Sequence, residues 1–119
     1  MRFLPLLAAA LVAAPAVAQD TAPRPVSLEH RMLMRCSAAF AIVASRQAAG
    51  EQAALAYPPM KERGTEFFVR SSARVMEEAG LDRASLSAAL ATEARALLQA
   101  DTLEQTMPAC LAALDGSGL

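Results

Sequence analysis

The residues able to do chemistry are few, and they cluster at one point. His30, Met32, Met34 and Cys36 alternate along the run H-R-M-L-M-R-C. Imidazole, thioether and thiolate together would suit cuprous copper. On a helix, however, residues two apart point about 200° from one another, so the four cannot converge on one ion. His30 is the one histidine of the chain. A non-covalent haem would need an axial His or Met facing inward, and His30 lies near a helix end, about 120° round from Cys36. A Ser–His–Asp arrangement would have to use that same histidine, and no second carboxylate stands at a spacing that makes an acid–base pair. Glu93 is the outlier: its wheel position falls about 20° from Leu86 and about 40° from Leu97. It reads as an edge residue that reaches solvent. Buried, it would need a partner such as Arg35 or Arg70. These residues predict no enzyme, no cofactor and no metal.

Cys36 and Cys110 are the only cysteines. Both are expected on core-facing stripes, neither stands in a C-x-x-C motif, and an even count in an exported chain favours a disulfide. Export is read from the first residues. One positive charge at Arg2 precedes an uncharged run from Phe3 to Ala14, too short for a bilayer span of about 20 residues. Ala16-Val17-Ala18 then supplies a small-x-small site, which predicts cleavage between Ala18 and Gln19. Residues 1–18 form the expected signal peptide, 19–26 a Pro-containing leader, and 27–119 a single helical domain, expected in the periplasm or secreted. No stable membrane insertion is expected after cleavage.

The chain has eleven Lys and Arg against twelve Asp and Glu, so losing Arg2 leaves it slightly acidic. A polyanion-binding protein needs a basic face, so nucleic acid is not an expected partner. With no Trp, one Tyr and four Phe, the core must be built from Leu, Ala, Met, Val and Phe. An Ala-rich composition favours helix.

Four amphipathic helices are expected. Ser27 caps the first, running from Leu28 to about Ala49 before Gly50. Its inner stripe holds Glu29, Met32, Leu33, Cys36, Phe40, Val43 and Gln47, with Arg31, Met34 and Arg46 pointing elsewhere. Residues 51–57 allow one further turn before Pro58-Pro59. The second helix is expected from about Pro59 to Ala79, with Gly80 as its cap and Phe68 at the centre of the bundle. Asp82 caps a third, to about Ala100, with Leu86, Leu90, Ala94 and Leu97 inward. Asp101 and Glu104 suggest a capping-box start to the fourth, whose stripe is Leu103, Met107, Cys110 and Leu114. Pro108 implies a kink or a fresh start near Thr106. Short links between four such helices predict an all-α, up-and-down bundle with the disulfide joining the first and last.

The segments H-R-M-L-M-R-C-S-A-A-F-A (30–41), R-G-T-E-F-F-V-R-S-S-A-R-V-M (63–76) and M-P-A-C-L (107–111) resemble small exported helical proteins of alphaproteobacteria. That resemblance carries no catalytic or binding residue. A weaker, architectural likeness is to periplasmic acid-stress chaperones, which are also small, helical and stapled by one disulfide between distant cysteines. The sequence therefore reads as a non-catalytic exported bundle acting by contact with a protein partner or in envelope maintenance. An acid-activated holdase is the second reading, since neutralised carboxylates would leave the chain strongly cationic. A small-ligand or metal-binding bundle is the third.

Overall fold

The computed structural model describes residues 26–119 and, before them, Ala13; the expected cleavage site at Ala18 and Gln19 lies outside the described residues. The elements are α1 (Leu28–Ala48), α2 (Gln52–Leu55), α3 (Arg63–Ala79), α4 (Arg83–Leu97) and α5 (Thr102–Gly116). The fold is all-helical, with no strand among the described residues.

Local chemistry explains the ends. The Ser27 hydroxyl accepts from the His30 N–H at 3.0 Å, satisfying one of the first-turn donors of α1. The Asp82 carboxylate does the same for Ser85 at 2.7 Å, and that backbone bond holds its carboxyl below the usual range. Gly80 closes α3 at φ +67°, a conformation that a residue with a Cβ rarely adopts.

Two boundaries and one cap differ from expectation. The second long helix starts at Arg63 rather than Pro59, because Met60 is drawn into the core instead of continuing a helix. Its N–H is bonded to Gln47 Oε1 at 3.0 Å, and its side chain is fully buried. The Gln47 amide meanwhile donates to the carbonyls of Ala54, Tyr57 and Pro58, which pins the whole α2 connection to the end of α1. The third long helix ends at Leu97, its last buried residue, and Leu98–Asp101 are exposed. Asp101 has φ +59° and its side chain makes no capping bond. Asp tolerates that left-handed region but cannot there present the extended geometry of an N-cap. Of the two outcomes expected at Pro108, the fresh start at Thr106 does not occur: α5 runs through Pro108 as one helix. Pro108 is exposed, so water can reach the carbonyl it leaves without a donor.

Cys36, Ser37, Ala38, Ala39 and Phe40 are all buried, five residues in succession. On a helix such a run covers the full circumference, so over these five residues α1 is enclosed all round. It packs against each of the other four helices. The main core gathers Phe40, Val43, Met60, Phe67, Leu97 and Met107, among others, and a smaller one gathers Met34, Val75, Ala79 and Leu86. Phe40 and Phe67 meet edge to face, centroids 5.2 Å apart. A Cβ on Gly64 would stand 3.1 Å from Phe40 Cβ and 3.3 Å from Met60 Cβ, so the bare glycine sets how closely α3 approaches. Cys36 is bonded to Cys110 with a Cα–Cα distance of 5.1 Å, joining α1 to α5 across 74 residues of sequence. In the chain-entropy treatment a loop of that size removes roughly 4–5 kcal/mol of denatured-state freedom.

The aromatic at the centre is Phe67, not Phe68. The buried face of α3 is Gly64, Phe67, Ser71, Val75 and Ala79. Phe68 sits about 100° round from it and is half-buried. Met34, assigned outward by the single-stripe reading, is buried, whereas Glu29 and Met32 are exposed. Phe67→Ala is accordingly expected to cost about 3–5 kcal/mol and Phe68→Ala less than about 2 kcal/mol, read from urea unfolding midpoints.

Candidate functional site

The structure disperses the polar candidates. His30 is buried against α3, Met32 is exposed, Met34 lies in the smaller core and Cys36 is in the disulfide. Among the described residues no three His, Cys, Asp or Glu are grouped so as to hold a metal ion. His30 Nε2 and Glu78 Oε2 share a hydrogen bond of 2.8 Å. Arg74 donates to Glu78 Oε1 at 2.8 Å and to Glu29 Oε1 at 2.6 Å. These four side chains clasp the start of α1 to the end of α3. The His30 bond first, and Arg74 second, hold the Glu78 carboxyl below its ordinary range. A carboxyl lowered on folding stabilises the native state above its unfolded pKa, and that contribution fades as pH falls through the lowered value.

Glu93 does not reach solvent as the edge reading expected. Packing of α4 on α1 puts it between Leu86 and Leu97 on the inner face, 7% exposed, where it accepts from Arg35 Nε at 2.9 Å. Arg35 keeps part of its side chain in water and carries the charge inward. Arg70, the other partner the sequence suggested, instead donates to Glu66 at 2.9 Å.

The feature that the sequence reading missed is apolar. α3 and α4 each pack closely along α1 but touch one another little. Between them a trough of about 510 Å³ lies open along α1. Ala38, Ala41 and Ile42 form its floor, Phe68 one wall, and Leu90 and Ala94 the other. Phe68 and Leu90 also border a second hollow of about 400 Å³ between α3 and α4, lined among others by Val69, Met76 and Leu86. On the opposite side Phe68 and Ala41 border a recess of about 250 Å³ over Met60 and Gly64. Phe68, displaced from the core, thus borders all three spaces. Val69 and Leu98 on the rim are each 57% exposed.

Serine hydroxyls and two guanidinium groups supply the polarity of the trough and the second hollow. Arg46 stands at one end and Arg83 at the other, and neither space is lined by His, Cys, Asp or Glu. Such a lining can bind an apolar surface and attract negative charge; it offers no nucleophile, base or metal ligand. No helix among the described residues is long and apolar enough to cross a membrane. No protein-family model, curated protein or solved structure matches the chain.

The buried Glu93 gives the most direct test of how the trough wall is held. Arg35→Ala strands a buried carboxylate and is expected to lower unfolding stability by about 2 kcal/mol. Replacing both residues by leucine should restore most of that loss, because no uncompensated charge then remains.

Proposed function

We propose that residues 19–119 form an exported, non-catalytic helical protein that works by contact with a protein partner in the cell envelope, using the trough between α3 and α4. The observation that carries this reading is an open, largely apolar trough, bordered by Phe68 and Leu90, that the native fold leaves in water. Apolar surface released from water contributes about 25 cal/mol per Å², so an open trough lined by alanine, leucine and phenylalanine is a source of binding energy. Its lack of reactive groups supports binding rather than catalysis. A buried disulfide fits an oxidising compartment, and so supports export with removal of residues 1–18. Membership among the small exported helical proteins of alphaproteobacteria is part of the same proposal.

We read the architecture as an up-and-down arrangement of the four long helices, with α2 as an extra turn in the first connection. The Arg74–Glu29 and His30–Glu78 pairs join the beginning of α1 to the end of α3. The Arg35–Glu93 pair and the Cys36–Cys110 bond then bring α4 and α5 to the same level of α1. In this arrangement α3 and α4 are consecutive, and the trough is the seam between them. The contact reading is preferred to an acid-activated holdase because the trough is already open in the native fold, with no loosening required.

The test pairs localisation with a surface variant. Mass spectrometry of the periplasmic protein should find a chain beginning at Gln19. A partner captured by that protein should also be captured by Ala112→Glu, on the exposed face of α5, and lost with Ala91→Glu, which places a charge in the trough. Retention of the partner by Ala91→Glu would overturn the trough as the contact surface.

A further inference from the structure

The ends of the trough say more about its occupant than its floor does. Arg83 opens α4 and Leu98 follows its last turn beside Arg46, so the two guanidinium groups bracket about 22 Å of helix rise. Between them every lining residue is apolar or a small hydroxyl or alanine. Arg83 has no ion pair among the described residues, and Arg46 has only a loose one, 3.6 Å from Glu51. The trough therefore has an arginine at each end, is apolar between, and has no carboxylate on its lining.

Resting on the reading of the trough as a protein contact, we infer that the occupant is an amphipathic helical segment of about 15 residues with acidic side chains at both ends. A helix laid in the trough would need apolar residues at i, i+4, i+7 and i+11, the spacing by which helix-in-groove recognition works. Ala38, Ala41, Ala91 and Ala94 are small, which lets a helix backbone come close, and Phe68 and Leu90 project beside it as the two aromatic and aliphatic walls. Charge at both ends favours this occupant over a single-headed anionic amphiphile, which has one headgroup and would leave one arginine unmatched. A second copy of this chain is a poorer fit. Its exposed large apolar residues are Val26, Leu28, Met32, Leu55, Val69 and Leu98, and on no described helix do these repeat over three turns.

Two synthetic alanine-based peptides of about 16 residues test the inference. Both carry leucines at i, i+4, i+7 and i+11; one has glutamates in its first and last turns and its twin has lysines there. Titrated into the mature, disulfide-bonded protein at low salt, the glutamate peptide should bind about 10-fold tighter than the lysine peptide, with the ratio shrinking as salt is added. In an Arg46→Glu/Arg83→Glu variant with unchanged circular dichroism and unfolding midpoint, the ratio should fall to one or reverse. Equal binding of the twins to the unaltered protein overturns the acidic-ended occupant and leaves the apolar contact standing. Binding of neither peptide overturns both. Displacement of bound glutamate peptide by equimolar laurate assigns the trough to a single-headed amphiphile, and a dimer that Ala91→Glu dissociates assigns it to a second copy; either result overturns the inference.

Discussion

A helix buried around its whole circumference, as α1 is from Cys36 to Phe40, must be covered by neighbours on every side, and the other elements are placed by that demand. Small residues at Ser37, Ala38 and Ala39 let those neighbours approach, and each is fastened by a different device. α3 comes close because Gly64 has no Cβ to hold it off Phe40. α4 is drawn in by Leu97 and by the Arg35–Glu93 pair, and α5 is bonded covalently at Cys36. The α2 connection hangs on the Gln47 side chain. Removing the filling at the centre of α1 would loosen all of these contacts together, because packed interiors transmit a volume change rather than absorb it.

The trough follows from the same demand. α3 and α4 turn their apolar faces to α1 and have little left with which to cover one another. What remains between them, beyond the enclosed stretch, is the side of α1 that carries Ala41 and Ser45, open to water, with Phe68 beside it. The chain has no Trp and one Tyr, and Phe68 is the one aromatic side chain at the trough. An open apolar seam costs stability in the isolated protein and offers that same free energy to whatever covers it.

How much of this was legible in the sequence depended on whether one helix face decided the outcome. Ser27, Asp82 and Gly80 act locally, so their roles could be read from residue type, and the cysteines could be paired because Leu103, Met107, Cys110 and Leu114 make an unambiguous stripe. The wheel for α1 failed for a physical reason: it assigns one inner stripe, and from Cys36 to Phe40 α1 has inward residues all round. His30, Met34 and Ser37, spaced i, i+4, i+7, mark a second inner face that was visible in principle. Phe68 was misplaced by one residue of register, a rotation of about 100°, because two adjacent phenylalanines give no local sign of which is central. Glu93 depended on the tilt of α4 against α1, and Met60 on the Gln47 bonds; both are long-range facts. Asp101 followed its own αL geometry where residue type suggested a cap. The trough is a relation between three helices, and no residue pattern within any one of them encodes it.

Ala41 sits on the exposed floor of the trough, two residues from the fully buried Ala39, and the pair measures directly whether the seam is open in the native protein. Urea unfolding of Ala41→Leu and Ala39→Leu, each with the disulfide intact, separates the alternatives. An open trough accepts the larger side chain at Ala41 with a stability change within about 0.5 kcal/mol, while Ala39→Leu overpacks the core and loses about 1–3 kcal/mol. A loss of about 1–3 kcal/mol at Ala41 as well would mean that α3 and α4 close over α1, and would contradict the trough on which the functional account is built.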